Sequence, residues 1–511
     1  MKLFNWFLRR SKNLIATKYD AAQTSHENRR HWALSDSFSA DSSMTPEVRR
    51  TLRNRSRYET ANNAYAKGMI LTVAGDVIGT GPRPQIQTGD NEANRRIERA
   101  FLTWSVEVRL AEKLRAMCLA KAVDGEAFAI LANNSRLNHP VKLDLKLIEA
   151  ERVTSPLTAW DWHKTVDGIE YDKFDNPVSY DVLKYHPGDR FTGMEEFETI
   201  PAEAMLHWFR MDRPEQHRGL PELTPALPLF AQLRRYTLAV LASAETAADF
   251  AAVIYTDSPA GGEATSATPF DIVSLEKRMA TTLPDGWKLG QLKAEQPTTN
   301  YPEFKREILG EIGRVLQVPI NVITGDSSQH NYASGRLDHQ TYHRAIRIEQ
   351  DHCVAVVLSR VFASWYQEYR LLSSGNGFLE AARTKYPSHL SFSVDTTSNT
   401  PFSEGKRGTE WKKTNVGSKT PANYSIGWFW DGFEHVDPAK EASAQEKRLA
   451  NKTTSLATEY ARTGRDWEEE LRQIAREREL MTELGLEPTQ DVLQDKTPQP
   501  PSQNTEESDE Q

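Results

Sequence analysis

Four aspartates, Asp172, Asp175, Asp181 and Asp189, crowd one part of the chain. Carboxylates at that density could build a divalent-metal nuclease site, where cations clamp the attacking and leaving oxygens of a phosphodiester. Four histidines, His330, His339, His343 and His352, form a second collection, and the i, i+4 spacing of His339 and His343 puts both on one helix face. Neither set reads as a reaction centre. The aspartates occupy Asp-Asn-Pro and Pro-Gly-Asp contexts, which are turn punctuation. The histidine pair has no glutamate at matching spacing and no third ligand, so polar contacts between subunits are the expected role and no metal is expected. The chain contains no Gly-x-x-x-x-Gly-Lys, His-Glu-x-x-His, Cys-x-x-Cys or Gly-x-Ser-x-Gly. Gly79-Thr80-Gly81 lacks the third glycine of a dinucleotide loop, and Pro82-Arg83-Pro84 bars a helix directly after it, so it marks a turn at a strand end. The chain is therefore not expected to be an ATPase of the P-loop kind, and no catalytic residue or cofactor is read from these motifs.

Composition narrows the class further. At 511 residues the chain can bury a large core, and length alone suggests about two to four domains. Its net charge of −8 disfavours a repressor or packaging-motor domain, because tight DNA grip rests on neutralising phosphates with a basic excess. Arg49, Arg50, Arg53, Arg55 and Arg57 cluster early, and the expected role is the solvated face of a helix rather than a DNA or capsid contact. Cys118 and Cys353 fall in helical patterns and read as two buried thiols, not a disulfide. No apolar run approaches the roughly 20 residues of a membrane span, and Leu3–Leu8 is too short for a signal segment, so no membrane contact and a cytoplasmic site of synthesis are expected.

The elements that would position any site follow from periodicity. Thr45 and Pro46 open a helix running through Arg57 toward Gly68, followed by a strand-like passage to Gly79. Ile97, Phe101, Trp104 and Val108, then Leu110, Leu114 and Met117, recur at helical spacing. Asp124-Gly125-Glu126 turns into the strand Ala127–Leu131, and 141–210 alternates short strands and turns. Thr224-Pro225 opens a helix to about Phe250. Ala251–Tyr255 is strand-like, a Gly/Ser/Thr/Pro loop fills 256–269, and a short helix at Asp271–Ala280 precedes the strand Trp287–Leu292. A helix at Pro302–Gln317 carries Phe304, Ile308, Ile312 and Val315 on one face. A long helix from Ser334, read as its N-cap, to Tyr369 places Val354, Leu358, Val361 and Trp365 in a stripe. Residues 371–437 look irregular. Asp466 caps a last helix that stops at Gly485. The fold class is α+β.

Three blocks in order carry a family likeness. The first runs from Asp167-Gly168-Ile169-Glu170-Tyr171-Asp172 and Asn176-Pro177-Val178 to Arg213-Pro214-Glu215-Gln216-His217-Arg218-Gly219-Leu220-Pro221. The second is Val318-Pro319-Ile320-Asn321-Val322-Ile323-Thr324-Gly325-Asp326 with Asn331-Tyr332-Ala333-Ser334-Gly335-Arg336. The third is Val436-Asp437-Pro438-Ala439-Lys440-Glu441, Gly464-Arg465-Asp466-Trp467 and Leu484-Gly485-Leu486. Over residues 45–486 the chain resembles the lambda-like phage portal proteins, the rings through which tailed bacteriophages load and release DNA. Two departures stand out: Asp175-Asn176 and Glu215 replace turn glycines of the family pattern, so those turns are expected to differ locally.

The resemblance implies a portal fold. Residues 1–45 would be a mobile segment, 46–220 a mixed α+β wing, 221–250 the first stem helix and 251–300 a β-containing clip. The second stem helix would span 301–317, the tunnel-loop region 318–335, the long helix and wing remainder 336–440, the helical crown 441–487 and a disordered acidic tail 488–511. It also implies Gln329, His330, Asn331 and Tyr332 as DNA-facing tunnel-loop residues, and Ala239, Ala244 and Ala247 as packing against identical neighbours. The implied partners are further copies in a dodecamer, the large terminase subunit, capsid or scaffold protein, head-completion proteins and double-stranded DNA held without sequence preference. The protein would be assembled in the host cytoplasm and carried at one capsid vertex of the virion. The competing classes are a DNA-processing nuclease built on the aspartates and a smaller head-tail adaptor.

Overall fold

The computed structural model describes residues 30, 32–88, 90–156, 165–189, 196–248, 252–256, 287–291, 301–328, 331–385, 425–432, 438–465 and 467–486. The expected mobile N-terminal segment as far as residue 29, most of the loop at 256–269, the helix at 271–280, the Asp466 cap and the acidic tail lie outside them.

Helix α1 (Ala40–Ser43) leads into α2 (Pro46–Asn62), where the Thr45 hydroxyl accepts the Val48 amide as the cap its sequence implies. The next segment differs from expectation. Residues Ala64–Ile78 form a further helix, α3, so the passage from Met69 to Ile78 is helix rather than strand. Its β-branched content suggested a strand, but Ala66, Met69, Ile70, Ala74, Val77 and Ile78 are buried at helical spacing. The Asn63 carboxamide oxygen accepts the Tyr65 amide at 3.0 Å and fixes the start. Strand β1 (Arg83–Gln87) and the helices α4 (Asn91–Glu107) and α5 (Leu110–Asp124) follow.

Strands β2 (Glu126–Asn133), β3 (Leu143–Ile148) and β8 (Met205–Phe209) form an antiparallel sheet in the order β3-β2-β8. A second antiparallel sheet runs β4 (Thr165–Val166), β5 (Ile169–Tyr171), β6 (Pro177–Leu183) and β7 (Phe197–Pro201). Strand β2 serves two cores through its period-two alternation. Ala127 and Ala129 join the main core, whereas Phe128 joins a smaller one with Ile169, Tyr180, Val182 and Met205.

Helix α6 (Leu227–Ala248) is followed by strands β9 (Ala252–Thr256) and β10 (Trp287–Gln291), which pair antiparallel with Ala252 opposite Gln291. Helix α7 (Tyr301–Val315) then packs beside α6. Short α8 (Ile320–Thr324) precedes α9 (Tyr332–Cys353), a π-helical turn at Val354–Leu358, and α10 (Ser359–Lys385). Thus part of the stretch read as irregular is helix. Another part, Ser425–Phe429, is strand β11 paired with β1. Trp428 places it, with its ring centroid 5.8 Å from Phe101 and 6.1 Å from Phe362. Helices α11 (Pro438–Ala450), α12 (Leu456–Arg462) and α13 (Trp467–Glu483) end the described chain, and Gly485 at φ +67° stops α13. Cys118 and Cys353 are both buried and free.

The two turns that depart from the glycine pattern hold their replacing residues at positive φ. Asp175 and Glu215 adopt φ of +61° and +60°, in the left-handed region that costs a side-chain-bearing residue about 1–2 kcal/mol. Glu215 carries that cost as it stands, so Glu215→Gly should stabilise the fold by up to about 1 kcal/mol, whereas the β-branched Glu215→Val should destabilise it, as read by denaturant unfolding.

Candidate functional site

The Arg213–Pro221 motif is built around one buried carboxylate. Glu126, at the first position of β2, has no solvent exposure. Arg218 grips it with two parallel bonds, Nη2 to Oε1 at 2.7 Å and Nε to Oε2 at 2.8 Å, a fork that matches the carboxylate plane. Arg53 Nη2 donates to Oε1 at 3.2 Å, the Gly219 amide donates to Oε2 at 3.2 Å, and His207 Nε2 lies 3.1 Å from Oε2. Arg218 also donates to the Val153 carbonyl at 3.1 Å, and Arg49 pairs with Asp167. One turn further along α2, Arg57 donates to Asp124 at 2.6 and 2.9 Å and to Glu151. The arginine cluster is thus not simply a solvated helix face. Arg49, Arg53 and Arg57 at i, i+4, i+8 turn toward carboxylates, while Arg50 and Arg55 face solvent.

Burial pushes the Glu126 carboxyl up, but Arg218 and His207 outweigh it and hold the group well below the usual carboxylate range. Burial pushes the His207 imidazole down against the pull of Glu126. Burial and neighbouring Arg218 push the Arg49 guanidinium down to about 10. Every charge in this cluster is committed to another, so it clamps α2, β2, β8 and the 213–221 segment together and offers no free acid or base.

The aspartates considered for a nuclease do not assemble. Asp172 closes its own turn, accepting the Phe174 and Asn176 amides at 2.8 and 2.9 Å. Asp181 accepts the Thr199 hydroxyl on the neighbouring strand, and Asp189 sits in a separate turn. Among the described residues, the acidic and imidazole groups close enough to share an ion are Glu149, Glu151 and His186 instead. Arg53 and Arg57 sit against that Glu151.

The α6–α7 pair is held at one level by aromatic contacts. Tyr236 packs against Phe304 with centroids 4.4 Å apart and stacks on Tyr301. Phe230, Leu233, Ile308 and Ile312 anchor the pair in the main core. The outer face of α6 is uncovered: Leu238 and Leu241 are 59% and 53% exposed, Ala239 is exposed and Ala244 half-buried. The Ala247 side chain lies outside the described residues.

The loop after α8 is braced at its base. Gly313 lies so close to Ile323 that an added Cβ would meet its Cδ1 at 1.9 Å, and Gly325 ends α8 at φ +66°. Asp326 Oδ1 accepts the Ser328 amide at 2.9 Å. The cap of α9 is Asn331, not Ser334: the Asn331 side chain accepts the Ser334 amide at 2.8 Å. Gln329, His330 and the Tyr332 side chain lie outside the described residues. His339 is turned inward on its own chain, with Asn321 Nδ2 3.0 Å from its Nε2, and the His343 ring lies 5.8 Å from the His339 ring.

The Glu126 clamp was the part sequence reasoning missed. Its signal was the spacing of arginines on α2 together with two acidic groups flanking Gly125, but carboxylate and guanidinium lie far apart in sequence.

Comparison with known proteins now adds to the geometry. The model of the lambda family of phage portal proteins matches residues 26–350. A protein described as a probable portal protein of Halomonas phage phiHAP-1 is 23% identical over 464 residues, spanning 85% of this chain and 81% of its own. Among solved structures, the neck of an empty gene transfer agent particle computed with C6 symmetry aligns at TM-score 0.42 and 15% identity, over 63% of this chain and 82% of that one. The neck of the native gene transfer agent particle computed with C12 symmetry aligns at 0.40 and 16% identity, over 63% and 81%.

The clamp makes a pH-dependent contribution of defined sign. A histidine held below its ordinary 6.5 leaves the folded state with fewer bound protons than the unfolded state, so stability is lost as pH falls below about 6.5. The Glu126 contribution, present above its ordinary 4.5, is lost only at lower pH. Melting temperature should therefore fall between pH 7 and 5, and His207→Gln, which keeps a donor but cannot titrate, should flatten that fall.

Proposed function

The chain belongs to the lambda family of phage portal proteins, and from that premise we propose that it forms a homo-dodecameric ring at one capsid vertex. DNA passes through the ring during packaging and ejection, and the tail joins there. The observation that carries this is the α6–β9–β10–α7 excursion: two helices packed side by side, a β-ribbon between them, and an apolar outer face that the chain itself leaves open. Adjacent helices pack roughly 10 Å apart. Twelve in a circle put their axes about 38 Å across and, less one helix diameter of about 10 Å, leave a bore of roughly 28 Å. That admits a hydrated duplex, whereas six would leave only about 10 Å.

In this reading α6 and α7 are stem helices, the region 251–300 is the clip where the large terminase subunit docks, and 318–335 is the tunnel-loop region. Residues 46–220, with part of 336–440, form the wing facing capsid or scaffold protein. Helices within 441–487 form the crown, and head-completion proteins bind after packaging. The ring is a conduit, not a catalyst. It is assembled in the host cytoplasm, touches no membrane and is carried into the virion.

Electron microscopy of the purified protein should show rings with a central hole; monomers or closed globules at all concentrations would defeat the reading. Ala239, Ala244 and Ala247 are placed at the contact between neighbouring stems. Ala244→Trp should overpack it at about 1–3 kcal/mol per boundary and yield smaller or broken rings by light scattering.

Gln329, His330, Asn331 and Tyr332 are placed on the bore. The Asn331 carbonyl caps α9, which leaves its Nδ2 as a neutral donor for phosphate oxygen. Replacing Gln329 and Asn331 together by lysine would add about 24 positive charges to a ring of twelve, facing one phosphate per roughly 1.7 Å of duplex. Rings should still form, packaging should slow, and added salt should restore part of it. Packaging unchanged at every salt concentration would move these residues off the bore.

A further inference from the structure

Helix α7 carries a mainly acidic stripe on the face turned away from the core, with the exposed Arg314 at its C-terminal end. Glu303, Glu307 and Glu311 recur at i, i+4, i+8, all three are exposed, and none is ion-paired with a described residue. Phe304, 42% exposed, lies beside them. Helix α9 carries a mainly basic outward face, with the exposed Asp351 at its C-terminal end. Arg336, Arg344 and Arg347 are exposed and likewise without an ion pair among the described residues. Leu337 and Ile348, each 64% exposed, lie alongside these arginines. The end carboxylates of the first stripe and the first two guanidiniums of the second are each eight positions apart, about 12 Å along a helix axis at 1.5 Å per residue.

We infer that the glutamate face of α7 in one copy docks on the arginine face of α9 in the next copy around the ring. Two complementary but different patches on one chain make a head-to-tail contact, the kind that closes into a ring when the rotation allows. Arginines mixed with exposed aliphatic side chains compose a protein-binding surface. A duplex backbone would use the arginines but offers nothing to Leu337 and Ile348, which makes DNA the poorer occupant. Opposite charge on the two faces also rejects the like-to-like pairings that would stall assembly.

This rests on the ring reading, so the test separates the two. One variant changes Glu303, Glu307 and Glu311 to lysine; the other changes Arg336, Arg344 and Arg347 to glutamate. Alone, each should remain folded by circular dichroism and lower the ring fraction by roughly tenfold or more, because like charges meet at every boundary. Mixed in equal amounts, they should form rings that alternate the two variants, at a level within about twofold of the unaltered protein. If the unaltered protein forms no ring, the proposed function fails first. If it does and both variants also form normal rings alone, these faces are not the contact. Failure of the folded variants to assemble when mixed would equally overturn the inference, and loss of DNA passage with rings intact would assign the arginines to DNA instead.

Discussion

A carboxylate with no access to water sets the terms for half of this fold. An ionised Glu126 is tolerable in the interior only if opposite charge and hydrogen-bond donors surround it, and leaving it without a partner would cost roughly 3–5 kcal/mol. Its donors arrive from three separate places: Arg53 on α2, His207 on β8, and Arg218 with the Gly219 amide after β8. None can be supplied unless the helix, the sheet and the turn are already in register. The clamp therefore contributes less to stability, on balance, than to making one arrangement of these elements acceptable.

The rest of the molecule has the opposite character. The α6–α7 pair is anchored at its base by Phe230, Leu233, Ile308 and Ile312, and farther along it exposes leucines and alanines. A helix hairpin of this kind satisfies its own backbone but not its own side chains. Its outer part keeps Leu238 and Leu241 in water, and the proposed ring would cover them.

Much of this was legible in the sequence because the signals were local. Thr45-Pro46, the stripe Phe101–Trp104 and Gly485 each state a helix start, face or stop within a few residues. The short-strand region and the strands around 252 and 287 were legible in the same way. What failed was whatever depended on a distant partner. The second half of α3, from Met69 to Ile78, is rich in β-branched residues and suggests a strand by itself, but its packing against α5 and α9 makes it helix. Strand β11 has too little pattern of its own and exists because β1 and the pocket between Phe101 and Phe362 receive it. The arginines of α2 were read by charge alone, and charge does not reveal which carboxylate a fold will bring to it. At the candidate site the helix pair was foreseeable, whereas the Asn331 cap and the inward turn of His339 toward Asn321 were not.

The π-helical turn at Val354–Leu358 sits between two helices that otherwise read as one rod. There the Ser359 hydroxyl donates to the Val354 carbonyl at 2.8 Å. Widening one turn by a residue advances the phase of everything beyond it by about a hundred degrees, since 3.6 residues complete an α-turn. The long element is thus two faces in series. Before the turn, Tyr342, Ile346 and Gln350 address α3; after it, Val361, Phe362 and Trp365 meet the aromatic cluster of α4 and β11. Shortening the turn by a residue would leave every residue of α10 chemically intact and point its aromatics at the wrong neighbour. In this helix, length is a steering variable.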